Sequence, residues 1–100
     1  MHLDRDTVLR LLAAHRKDFH AMGVARLYVF GSVARNEAAE DSDVDVLVEF
    51  EPGARIGMFE FLDVQEALTN LLGADVDLAT PASLHPRLRD AILAEAVLAA

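Results

Sequence analysis

The chain has no cysteine. That excludes disulfides, thiol catalysis and cysteine-ligated zinc together, and it suits a reducing compartment. It has one lysine, Lys17, and 9 basic residues against 17 acidic ones, for a net charge of -8. A free nucleic-acid binder needs a basic face to neutralise phosphates. DNA or RNA as the main ligand is therefore disfavoured, whereas metal cations or a basic protein partner suit the charge. No apolar run is long enough for a membrane span. The start, Met1-His2-Leu3-Asp4-Arg5-Asp6, lacks the apolar core of a signal peptide. The expectation is a soluble, cytoplasmic protein. Repeats, linkers and low-complexity tracts are also missing, and proline and glycine serve as isolated punctuation, as in the Glu51-Pro52-Gly53 loop.

What remains is 100 residues, 53% hydrophobic and 26% charged, expected to form a single domain over 1–100. So small a domain leaves little wall with which to enclose a large substrate. A large substrate would have to be held partly by a partner.

Hydrophobic spacing predicts the elements in order. Val8, Leu11, Leu12, His15, Phe19 and Met22 predict one helix from Asp6 to Met22, with Asp4 or Asp6 as cap and Gly23 as stop. Ala25 to Phe30 predicts a strand, stopped by Gly31-Ser32. Val33 to Ala39 predicts a short helix, and Glu40-Asp41-Ser42 a polar turn. Asp43 to Phe50 alternates, with Val44, Val46, Val48 and Phe50 on one face and Asp43, Asp45, Leu47 and Glu49 on the other. Met58 to Leu72 predicts a helix ended by Gly73. Asp75 to Ala79 predicts a third strand, and Pro86 to Leu98 a last helix. Hairpin signals are absent, so crossovers are expected. The fold class is α+β: a small mixed sheet flanked by helices.

Three features carry chemistry. Gly31-Ser32 lies at a strand-to-helix junction. Glycine lets a ligand approach the backbone, and a helix start offers N–H donors to a phosphate. Arg35 falls in the first turn of that expected helix, where a cation opposes the helix dipole and an anion would relieve it. Asp43 and Asp45 share a strand face with Cα atoms ~7 Å apart, a spacing from which carboxylates can converge on two Mg²⁺ ions, with Mn²⁺ as the alternative. Asp77 is a mid-strand aspartate, where the residue is disfavoured, and joins the cluster if its strand neighbours that of Asp43. Three close carboxylates repel unless a cation neutralises them or one keeps its proton. Each feature alone has an ordinary reading as a turn, a solvated strand end or an edge charge. Their coincidence in this order is the stronger signal.

Gly31-Ser32-Val33-Ala34-Arg35-Asn36-Glu37, followed by Ser42-Asp43-Val44-Asp45-Val46-Leu47-Val48-Glu49-Phe50, resembles the signature of the MNT-type minimal nucleotidyltransferases of the DNA polymerase beta-like superfamily. Val76-Asp77-Leu78 resembles the strand carrying that family's third acid, and the likeness continues through Pro86-Arg87-Leu88-Arg89-Asp90 and the last helix, so that it covers nearly the whole chain. The resemblance implies a palm-like nucleotidyltransferase fold. It implies that Gly31, Ser32 and Arg35 hold the triphosphate of ATP, and that Asp43, Asp45 and Asp77 bind the metals. Asp77 would also act as, or position, the base. It further implies an antitoxin that moves AMP from ATP to a tyrosine of a HEPN-domain ribonuclease toxin and forms a hetero-oligomer with it. The family commonly has glycine after the Ala-Arg pair. This chain has Asn36, the non-glycine residue most tolerant of left-handed backbone.

Two other functions stand beside this one: a non-catalytic antitoxin that neutralises by covering its toxin, and a nucleotidyltransferase for a small hydroxylated molecule. His2, His15, His20 and His85 show no ligand spacing, and His15 falls on the apolar stripe of the first helix. Glu49 reads as solvated rim, Asp75 as a turn residue in reserve for Asp77, and Arg87 and Arg89 as a solvated helix face. Met58, Phe59 and Phe61 read as core, with partner contact the alternative.

Overall fold

A computed structural model describes residues 3–39 and 42–100. The expected turn residues Glu40 and Asp41, and His2, lie outside these. Among the described residues four strands form one sheet in the order β3-β2-β1-β4. They are β1 (Val24–Phe30), β2 (Val44–Phe50), β3 (Val76–Ala79) and β4 (Val97–Leu98). β2 runs antiparallel to β1 and parallel to β3, so the sheet is mixed as expected. The β2-to-β3 connection is a parallel crossover between neighbouring strands. It runs through α4 (Met58–Leu72), whose bounds match the hydrophobic spacing. β1 and β2 are adjacent and antiparallel, joined by α3 (Gly31–Ala34) and a loop in place of a tight turn.

The single first helix expected is two: α1 (Arg5–Ala14) and α2 (Arg16–Ala21). The break is at His15, whose N–H reaches back only three residues, to the Leu12 carbonyl (3.2 Å). Its ring Nδ1 lies 3.0 Å from the Leu11 carbonyl. His15 is thus a half-buried joint residue, and Val8, Leu12 and Phe19 on either side of it all reach the core. Asp4 supplies the N-cap, accepting from the Thr7 N–H at 2.7 Å.

The last helix also ends early. α5 covers Pro86–Glu95, and Ala96 turns extended (φ -62°, ψ 134°). The chain then adds β4 to the edge of the sheet, pairing Val97 with Val29 and Leu98 with Tyr28. Leu27 completes the seam, its N–H donating to the Ala100 carbonyl at 2.8 Å. The edge-strand backbone of β1 is satisfied this way, which outweighs continuing an alanine-rich helix.

Val8, Leu12, Leu27, Val29, Val46, Val48, Val64 and Leu68 are fully buried beneath α1 and α4. Leu47 is fully buried too, although it lies on the acid-bearing parity of β2. The acid face is therefore closed in its middle, between Asp45 and the rim residue Glu49. Met58 and Phe59, expected in the core, are instead 73% and 81% exposed, and Leu62 follows at 46%. Phe61 alone of that group packs against the core. No helix among the described residues is long and apolar enough to cross a membrane.

Candidate active site

The site forms where β1 ends and β2 begins. β1 stops because Gly31 takes a left-handed conformation (φ +73°), open to glycine at little cost. α3 starts at Gly31 itself, two residues before the expected start, and lasts one turn. Phe30, just before it, is in register with Asp45 on β2. This register sets the glycine against the aspartate. A Cβ at position 31 would overlap Asp45 Oδ2 and lie 3.0 Å from its Cγ.

The parallel register of β2 and β3 pairs Asp45 with Asp77. Neighbouring strands lie ~4.8 Å apart, so the two carboxylates are side-by-side neighbours on one face. Asp43 precedes β2 on the same parity and is exposed. The strand is tied to β3 here by the Val44 N–H, which donates to the Asp75 carbonyl at 2.9 Å. The structure thus brings Asp45 and Asp77 together and sets Asp43 at the mouth. A cleft of about 320 Å³ opens beside Asp43, bordered by Ala38, Ser42, Ala74 and Asp75.

Asp45 is the strained member electrostatically. Burial holds its carboxyl above the usual range, and the charges of Asp77 and then Asp43 push the same way; Arg35 partly opposes them. Among the described residues no three acidic or histidine side chains are already gathered as a metal cage. The donor set nevertheless fits a hard divalent cation: it is oxygen-only, Asp45 and Asp77 are paired across the sheet, and Asp45 is destabilised in its ionised form.

Arg35 differs from its expected place. Because α3 ends at Ala34, Arg35 is the C-cap, where a cation suits the helix dipole. The anticipated conflict disappears. The anions it meets are internal: Glu95 at 3.0 Å and Glu37 at 3.3 Å. Glu95, which nothing in the sequence singled out, also accepts the Gly31 N–H at 2.9 Å. That bond is the main cause holding the Glu95 carboxyl below its ordinary range.

Asn36 is left-handed (φ 59°). Its N–H donates to the Val33 carbonyl (2.9 Å), and the next N–H, of Glu37, to the Ser32 carbonyl (2.8 Å). This is a Schellman cap, with asparagine in the usual glycine position. Asn36 thus closes the turn after α3 with ordinary cap hydrogen bonds. Ser32 is half-buried at the head of the turn. His85 accepts from the Arg87 N–H as the cap of α5, and Arg87 is exposed. Arg89 is half-buried, and its Nε is buried without a hydrogen-bond partner among the described residues. Glu49 pairs with Arg26 at 3.6 Å, in keeping with a rim role.

The Nucleotidyltransferase domain family matches residues 10–99. The chain is 40% identical over 96 residues to the protein adenylyltransferase MntA of Thermococcus cleftensis, covering 95% of each. It superposes on a solved structure described as a proposed minimal nucleotidyltransferase with a TM-score of 0.80, at 42% identity and 96% coverage of both chains. It shares its fold with a chain of a Shewanella oneidensis structure, a tri-AMPylated HEPN toxin in complex with an MNT antitoxin. There the TM-score is 0.59 at 19% identity, covering 96% of this chain and 68% of that one.

Proposed function

The chain belongs to the Nucleotidyltransferase domain family, and from that premise we propose that it is a protein adenylyltransferase that moves AMP from ATP to a tyrosine of a HEPN-type toxin, acting as its antitoxin over one domain, 1–100. The observation that carries this reading is the register pairing Asp45 with Asp77 beside the Gly31 turn. It places a carboxylate pair next to a backbone turn suited to phosphate. The 40% identity to a protein adenylyltransferase supports the reaction class. Exposed Met58, Phe59 and Leu62 support a protein acceptor, since an apolar patch on one helix end marks a contact surface.

In this reading Gly31, Ser32 and Arg35 receive the triphosphate. Asp43, Asp45 and Asp77 would hold Mg²⁺, which when bound lowers the charge on the reacting phosphate and on the departing pyrophosphate. Asp77, beside Asp45 at the open end of the face, takes the proton of the tyrosine hydroxyl. The phenolic oxygen forms a bond to the α-phosphorus, the α–β bridging bond breaks, and pyrophosphate leaves.

The test mixes the purified protein with ATP, Mg²⁺ and a HEPN-family toxin protein, and follows mass added to that protein. An added AMP that vanishes with Asp43→Asn is the expected result. A tight complex with no added mass would replace this reading with neutralisation by binding alone.

A further inference from the structure

Glu95, at the end of the last helix, was given no role by the sequence, yet it touches two groups of the proposed phosphate site. Its Oε1 accepts the Gly31 N–H at 2.9 Å. Both its oxygens accept from Arg35 Nη1, at 3.2 and 3.0 Å. Arg35 Nε is turned to Glu37 (3.3 Å), while Nη2 makes no hydrogen bond among the described residues. The Arg35 side chain is 48% exposed. The guanidinium plane is therefore fixed on one side and open on another.

The carboxylate is held from both directions. Glu95 is the last residue of α5, and Val97, two residues on, is locked in register with Val29 of β1. Gly31 is equally fixed, with its Cα against Asp45. A carboxylate that merely occupied a phosphate position until displaced would need a mobile support. This one sits at a strapped corner between a helix and a strand.

We propose that Glu95 is a positioning residue for the nucleotide: it sets the Gly31–Ser32 turn and the Arg35 guanidinium in the geometry that receives a triphosphate. The inference rests on the nucleotide-donor reading above. Arg35, placed between the carboxylate and the incoming anion, offsets their repulsion. Glu95 acts through these two groups and does not touch the reacting atoms.

The test measures the Kd of the non-hydrolysable ATP analogue AMP-PNP with Mg²⁺, and KM and kcat for AMP transfer. Proteins compared are wild type, Glu95→Ala, Glu95→Gln, Arg35→Ala and the Glu95→Ala/Arg35→Ala double variant. Glu95→Ala is expected to weaken AMP-PNP about tenfold, the scale of a lost charge-assisted hydrogen bond. KM for ATP rises in parallel, and kcat moves by less. Glu95→Gln, which keeps an acceptor for the Gly31 N–H, recovers part of the loss. The effect of Glu95→Ala shrinks in the Arg35→Ala background, since the two act as a coupled pair. Unchanged affinity in a folded Glu95→Ala protein overturns the proposal, and tighter binding overturns it in favour of a displaceable plug. If Glu95→Ala does not fold, full wild-type affinity in Glu95→Gln overturns the role through Arg35. Wild type that neither binds AMP-PNP nor transfers AMP removes the nucleotide-donor reading and this inference with it. Wild type that does both, with unaffected Glu95 variants, removes the inference alone.

Discussion

Gly31 and Asp45 share one volume: the space a Cβ would need at position 31 is filled by the Asp45 carboxylate. The glycine is required twice, for its φ of +73° and for this contact. Gly73 makes a useful comparison. Its φ is +65°, but nothing lies within 4 Å of where its Cβ would be. Gly73→Ala should cost about 1 kcal/mol for backbone strain alone and leave AMP transfer intact. Gly31→Ala should cost about 2–4 kcal/mol, strain plus overpacking, and abolish transfer. Thermal melts and the transfer assay on both variants check this.

Asp45 sets a pH signature. Its folded pKa is raised, by burial first and by Asp77 and Asp43 next. Between the ordinary and the raised value the native state binds more protons than the unfolded chain. Stability therefore falls as pH rises through that window, and the penalty persists at neutral pH. Asp45→Asn removes the charge. The variant should melt higher than wild type at pH ~7, with the gap closing below the ordinary carboxylate value of ~3.9. It should transfer no AMP. A gap that grows on acidification would contradict the assignment.

Asp77 and Asp75 separate by role. Asp77 is beside Asp45 in the sheet, whereas Asp75 precedes the strand and is tied to β2 through its backbone carbonyl. Asp77→Asn should lower kcat by roughly 10²-fold or more, the scale of a lost general base. Asp75→Asn should stay within a few-fold. Steady-state kinetics on the two variants distinguish them, and equal losses would move the base to another group.

Asn36 stands where glycine is the easier residue, at φ 59°. Asn36→Gly should be neutral or slightly stabilising, and Asn36→Ala should cost about 1 kcal/mol. For a chain of this length that is a fall of roughly 4–8 °C in Tm. Neither should alter AMP-PNP affinity by more than a few-fold unless the cap is lost.

Phe59 is 81% exposed at the start of α4. Phe59→Ser should change folding stability by no more than about 0.5 kcal/mol, as surface substitutions do. If the patch meets the toxin, the variant should weaken that complex about tenfold or more, as loss of an aromatic anchor does. Titration calorimetry against the toxin measures it.

Much of this was readable along the chain. The apolar positions Ala67, Leu68, Leu71 and Leu72 mark α4, and the alternation from Val44 to Phe50 marks β2, because both patterns are local. The Asp43-Val44-Asp45 face and the Gly31-Ser32 turn follow from the same periodicity. The break at His15 was not readable. The stripe from Val8 to Phe19 fits one helix as well as two, and the sheet decides how both halves reach it. The exposure of Met58 and Phe59 is not legible either, because hydrophobicity alone carries no direction at a helix start.

The sequence by itself determined the types and order of the main elements, the acids on one strand face, and the turn that glycine and asparagine permit. These depend on neighbours within a few residues. The tertiary structure alone decided which acid neighbours which, since the Asp45–Asp77 pairing is a register between strands joined by a helix. It alone turned Val97 and Leu98 into an edge strand, because the unpaired backbone of β1 is the partner that makes extended geometry favourable there. That strand in turn fixes Glu95 against Gly31 and Arg35, 64 and 60 positions away in the chain. No local pattern encodes a contact of that separation.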